Sequence, residues 1–192
     1  MSAIRTFIAV EIFRDIRSNI ERWIRSLQHK VNGVKWVETQ NLHVTLKFLG
    51  DVAADDLPEI TNTVMKATSQ VEPFTLELFG SGAFPNMKAP RTIWIGCRDG
   101  AKQLTRLAMA IEDALSRLDF PKEARPFSPH LTIGRAKQKV ADMTPLLTSG
   151  QAESFGQCSI SEASLFSSDL TRSGPIYKKL AALPLCSSSR DH

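Results

Sequence analysis

Two tetrapeptides carry the chemistry that this sequence can do. His43-Val44-Thr45-Leu46 and His130-Leu131-Thr132-Ile133 share one pattern of histidine, apolar, threonine, apolar. In a β-strand, side chains alternate between faces. His43 and Thr45 then share one face, with Val44, Leu46 and Phe48 on the other. His130 and Thr132 share a face in the same way, with Leu131 and Ile133 behind them. Histidine titrates near neutral pH, so two of them can divide general-acid and general-base work, one protonated and one neutral. A threonine hydroxyl can donate to an anionic oxygen. The simplest assembly is a phosphate gripped by two hydroxyls, with an imidazole on each side of the bond being broken. One histidine would deprotonate water and the other would protonate the leaving oxygen. In-line displacement needs them on opposite sides of phosphorus, which two similar strands on facing lobes would provide.

Neighbouring residues extend the candidate site. Arg135 stands just past the second tetrapeptide, where a guanidinium could fork onto phosphate oxygens. Strict alternation sends it to the face opposite His130, so it requires Gly134 to break the strand geometry. Lys47 falls on the face of His43 and could help neutralise phosphate, or simply be solvated at a strand end. Phe48 falls on the apolar face and reads as core. Phe127, in the loop before Pro129, could stack on a base or pack in the core. Of the other histidines, His29 lies at the C-terminal end of a predicted helix, where the dipole favours a cation, and His192 is terminal. A metal held by the two histidines is the competing chemistry. It lacks an H-E-x-x-H helix and a close third ligand, and threonine is a poor metal ligand. No metal and no cofactor are expected. A binding module that keeps the cleft without turnover is a further alternative.

The elements that must position these residues can be read from periodicity. Thr6 to Val10 is a short buried strand. Phe13, Ile16, Ile20, Trp23, Ile24, Leu27 and Val31 draw one helical stripe, ended by Asn32-Gly33. Arg14, Arg17, Arg22 and Arg25 lie largely off that stripe and read as a solvated face. Val34 to Val37 and the His43 segment, closed by Gly50-Asp51, are strands. A second helix follows, capped by Asp55 or Asp56, with Pro58 in its first turn and Pro73 beyond its end. Phe74 to Gly80 alternates as a strand, Gly80 to Pro90 is turn-rich, and Thr92 to Cys97 is made of strong β formers. Leu104 to Leu118 marks a third helix. A charged, proline-rich loop from Lys122 to Pro129 delivers the chain to His130. A short helix near Asp142 to Leu147 and strands at Phe155 to Phe166 and Ile176 to Leu183 complete the order. Strands do not alternate one-for-one with helices, so an α+β protein with mostly antiparallel sheet is expected. One domain over residues 1–183 and a flexible tail over 184–192 are expected.

Bulk properties narrow the classes. The chain has 192 residues, 42% hydrophobic and 23% charged, which fits a folded domain and not a disordered chain. A net charge of +4 and a pI near 9.1 suit an anionic ligand without requiring one. No apolar run reaches the length of a membrane span, and the first ten residues do not resemble a signal peptide. Cys97, Cys158 and Cys186 form no C-x-x-C pair, which fits a reducing, cytoplasmic setting.

The longer strings from His43 to Gly50 and from Phe127 to Arg135 resemble the two-histidine phosphoesterase superfamily. Their branch is similar to the RNA 2′,3′-cyclic phosphodiesterases, historically called 2′-5′ RNA ligases. Arg5 to Val10 and the stretch from Gly82 to Trp94, with Phe84-Pro85 and Arg91, support the likeness, which weakens after Arg135. The resemblance implies a bilobal fold with two pseudo-symmetric lobes, outer helices and a central cleft. It implies metal-independent hydrolysis of a terminal RNA 2′,3′-cyclic phosphate to a 2′-phosphomonoester; a monomer is expected. It further implies His43 as proton donor, His130 as proton acceptor, and Thr45, Thr132 and Arg135 as phosphate ligands. ATP-independent 2′-5′ ligation by some members leaves a ligase alternative open.

Overall fold

The computed structural model describes residues 3–171 and 174–186. Nine strands and four helices follow one another as β1 (Ala3–Glu11), α1 (Arg14–Gln28), β2 (Val34–Trp36), β3 (His43–Ala53), α2 (Leu57–Thr68), β4 (Phe74–Phe84), β5 (Thr92–Cys97), α3 (Ala101–Leu115), β6 (His130–Ala136), α4 (Thr144–Leu147), β7 (Ser154–Ile160), β8 (Glu162–Leu170) and β9 (Pro175–Pro184) among the described residues. The strands form two sheets with orders β3-β1-β8-β9 and β2-β6-β5-β4-β7. All described pairings are antiparallel, so the α+β expectation holds.

Each histidine strand belongs to a different sheet, and β3 and β6 approach each other without hydrogen-bonding into a common one. Helices cover the outer faces. α1 buries Ile16, Ile20, Ile24 and Leu27 and packs on β2 and β7. α2 and α3 pack together and against the sheet of β3, β8 and β9. One hydrophobic core runs through both sheets, while a small second cluster of Phe7, Ala9 and Phe166, with Tyr177 against it, sits apart. β1–β8–β9 register puts those residues on the face of His43, so the cleft has its own apolar floor.

Several boundaries differ from the sequence expectations for local reasons. α1 closes at Gln28 with His29 at its C-cap, before Val31, and Phe13 is exposed at its N-cap. Asp56 is the N-cap of α2 but makes no side-chain capping bond. β4 continues through the expected turn region to Phe84, because Gly80 adopts φ +74 and the ladder to β5 resumes at Ser81. The stretch from Phe155 to Phe166 is two strands: the chain crosses at Ser161 from the sheet of β4 to the sheet of β1. Arg22 and Arg25 are exposed, Arg25 pairing with Glu21 at 2.5 Å, as a solvated helix face requires; Arg17 Nε donates to the Ile12 carbonyl at 2.6 Å, and the Arg14 side chain lies outside the described residues. Leu185 is buried and bonded to Ser161, and the Cys186 N–H donates to the Val71 carbonyl; residues 187–192 of the expected tail lie outside the described residues.

Candidate active site

His43 and His130 each open their strand, and each is fixed by the same local bond. The His43 ring Nδ1 lies 2.7 Å from the Asn41 carbonyl, and the His130 Nδ1 lies 2.7 Å from the Ser128 carbonyl. A carbonyl oxygen only accepts, so Nδ1 carries the proton in both rings. Nε2 is left as the working atom in each case. A neutral ring offers a lone pair there, and a protonated ring offers a proton.

Aromatic walls orient both rings. His43 lies 4.9 Å from Phe7 and edge-on to Tyr177 at 5.2 Å. His130 stands edge-on to Phe84 at 5.1 Å. Burial is the main force on both imidazoles and holds their pKa below the ordinary 6.5. The Asn41 and Ser128 carbonyls oppose this, while the Arg135 guanidinium pushes both further down. Arg135 therefore acts on histidines of both sheets, which puts all three groups around one cleft. It also acts on Tyr177, whose hydroxyl is pushed up by burial and pulled back by Arg135 and Arg5.

The two motifs share more than their letters. In β3, Thr45 pairs with Ala9 and Lys47 with Ile8, leaving Leu46 as an unpaired bulge residue. In β6, Thr132 pairs with Trp94 and Gly134 with Ile93, leaving Ile133 unpaired. The last residue of each tetrapeptide is thus an extra residue that reverses the alternation after it. The first seven residues of both strands then share one sequence of environments: half-buried, buried, half-buried, buried, buried, exposed, half-buried.

These bulges correct two expectations and explain a third. Lys47 does not share the face of His43. It turns to the far side, is 4% exposed, and reaches Glu112 at 3.1 Å and the Pro121 carbonyl at 2.8 Å. Phe48 is not core: it returns to the face of His43 and is 56% exposed, 6.0 Å from Phe7. Arg135 returns to the face of His130 and Thr132, exposed, with Thr92 Oγ1 at 3.5 Å. Gly134 does not supply this by backbone freedom. It is needed because a Cβ there would stand 2.9 Å from Val34 Cγ1 and 3.0 Å from Trp36 Cε3. Phe127 packs against the main core, and the exposed aromatics of the cleft are Phe48 on one sheet and Phe84 on the other.

Thr45 and Thr132 are half-buried on the histidine faces, and among the described residues neither hydroxyl is engaged by a hydrogen bond. Trp94, opposite Thr132, was not singled out by sequence reasoning. Its indole lies over Gly82, where a Cβ would come within 2.4 Å of Cζ2, and it packs at 5.3 Å on Phe84. The cleft face of this sheet is therefore His130, Thr132, Arg135, Thr92, Trp94 and Phe84. The signal for Phe48 was present in the sequence: it follows Thr45 by the same offset as Arg135 follows Thr132.

Among the described residues no three His, Cys, Asp or Glu side chains converge to hold a metal ion, and no helix is long and apolar enough to cross a membrane.

The chain is 39% identical over 176 residues to the RNA 2′,3′-cyclic phosphodiesterase of Archaeoglobus fulgidus, covering 92% of this chain and 97% of that one. It is 35% identical to the RNA 2′,3′-cyclic phosphodiesterase of Aquifex aeolicus, covering 92% and 95%. Its fold matches the crystal structure of E. coli LigT complexed with 3′-AMP with a TM-score of 0.77 at 25% identity, over 96% of this chain and 99% of that one. The sequence signature of the 2′-5′ RNA ligase superfamily matches residues 16–171, and the chain belongs to that superfamily.

Proposed function

We propose that this protein hydrolyses the 2′,3′-cyclic phosphodiester at RNA ends, giving a 2′-phosphomonoester, within one two-lobed domain that runs from the N-terminus to residue 183. The observation that carries the reading is the pair of Nε2 atoms freed by matched Nδ1 bonds to the Asn41 and Ser128 carbonyls. The names of the Archaeoglobus and Aquifex relatives support the substrate class.

His130 Nε2 takes a proton from water as the water oxygen attacks phosphorus. His43 Nε2 gives a proton to the departing ribose O3′, and the P–O3′ bond breaks. The phosphate stays on O2′, and the two histidines end in exchanged protonation states. Thr45 and Thr132 donate hydrogen bonds to the non-bridging oxygens. Arg135 adds a fixed positive charge where charge accumulates in the transition state. Phe48 offers an exposed ring beside this group, on which any base can stack. Two histidines without a third converging ligand do not make a zinc site among the described residues, so the reaction is metal-independent in this reading. A 5′-hydroxyl in place of water would attack phosphorus in the same sense, giving its proton to His130 and leaving a 2′-5′ phosphodiester as O3′ departs with the proton from His43, which is ligation.

The test is turnover of a nucleoside 2′,3′-cyclic phosphate and of a cyclic-ended oligonucleotide with EDTA present, with the product phosphate located. His43→Ala and His130→Ala are each expected to lose on the order of 10²-fold or more. Full activity in either variant would overturn the mechanism, and loss of activity in EDTA alone would overturn its metal independence.

A further inference from the structure

His43 and His130 share a motif, a strand position and an Nδ1 bond, but not a cross-strand neighbour. In the β1–β3 pair His43 stands opposite Glu11; in the β5–β6 pair His130 stands opposite Gly96. Directly opposed residues share a sheet face, with Cβ atoms about 5 Å apart. A carboxylate therefore stands beside one imidazole and bare backbone beside the other. Position 96 has no room for a side chain, since a Cβ there would lie 2.9 Å from the Phe79 carbonyl oxygen.

Glu11 is held in place from two other strands. Lys179 of β9 pairs with Glu11 and, at 3.1 Å, with Glu162 of β8. Ser164 of β8 lies 3.5 Å from the Glu11 carboxylate. Two carboxylates share one ammonium, so Lys179 does not fully neutralise Glu11. The other groups facing His43 are Tyr177 from β9, Arg135 from β6 and the Asn41 carbonyl. No carboxylate is among the groups acting on His130, which feels burial, the Ser128 carbonyl and Arg135.

We propose that Glu11 is a positioning residue that decides which of two like histidines holds the proton: it makes His43 the acid and leaves His130 the base. The inference rests on the acid–base reading above and supplies a physical origin for its polarity. Burial lowers His43 most; the Asn41 carbonyl opposes it, Arg135 adds to it, and Glu11, the smallest of the four influences, acts with the Asn41 carbonyl.

The experiment is an NMR titration of the imidazole Cε1–H signals in the full-length, substrate-free protein, assigned with His43→Asn and His130→Asn. Glu11→Gln keeps the shape and the Ser164 contact but removes the charge. It is expected to lower the His43 pKa by about half a unit and to leave His130 in place. Lys179→Met, which unmasks Glu11, is expected to raise His43, and Glu11→Asp to preserve the wild-type order. A merely structural role would move both histidines together or neither, and either result overturns the proposal. Turnover by His43→Ala tests the underlying reading separately, because the titration requires no catalysis.

Discussion

Phe48 and Arg135 occupy the same place in two strands. Each stands two residues past its His-x-Thr-x tetrapeptide, and each is returned to the histidine face by a bulge at the last residue of that tetrapeptide. One lobe thus presents an exposed ring and the other a guanidinium at matched positions around the histidines.

Phe48→Ala should therefore act on binding and leave folding alone. Stacking on an aromatic contributes about 1–3 kcal/mol per base, so KM for a nucleoside 2′,3′-cyclic phosphate should rise roughly 5- to 150-fold. Because Phe48 is 56% exposed, the melting temperature should move little. Steady-state kinetics and a thermal melt of the same preparation check both halves of this expectation.

Arg135→Lys keeps the charge but loses the planar fork. We expect kcat/KM to fall about 10-fold or more, and Arg135→Ala to fall further. Arg135 pushes both histidines down, so Arg135→Ala should also raise both of their pKa values. A histidine titration in which only one ring responds would argue against a guanidinium shared by the two sheets.

Lys47 is a tether, not a phosphate ligand. It joins the His43 strand to Glu112 of α3 and to the Pro121 carbonyl, and Glu112 in turn accepts the backbone N–H of Glu123 at 2.6 Å. The loop it holds leads to His130. Lys47→Ala leaves the half-buried Glu112 carboxylate without its cation and should cost about 1–3 kcal/mol. Lys47→Met with Glu112→Leu should recover much of that loss, since replacing both charges removes the desolvation penalty. Chemical denaturation of the two variants distinguishes a paired tether from simple loss of packing.

The pH dependence follows from the buried imidazoles. Both histidines have folded-state pKa values below the unfolded 6.5. The unfolded chain then binds more protons between those values, so stability rises with pH through that window and is complete above about 6.5. It is lost as pH falls through the folded values. His43→Asn and His130→Asn should each flatten this slope in melts across pH 5 to 8. One ring must be charged and the other neutral, so kcat/KM of the free enzyme should peak below about pH 6.5. A peak well above 7 would contradict the depressed values.

Local residue pattern is enough to define the pair of strands, their apolar backing and the types of group available to a phosphate. The tetrapeptides His43 to Leu46 and His130 to Ile133 are local patterns, and alternation within four residues is a property of any strand. What lay beyond the fourth residue was decided by tertiary structure. A bulge is set by how many residues the partner strand supplies, and no local pattern in β3 states that β1 skips Leu46. For that reason Lys47 and Phe48 exchanged faces relative to simple alternation, while Arg135 gained the face that alternation denied it. The neighbours of the histidines were likewise nonlocal. Glu11 and Gly96 are distant in the chain, and only the antiparallel registers put one beside His43 and the other beside His130. The chain specifies two nearly equal halves, and long-range strand pairing makes them unequal.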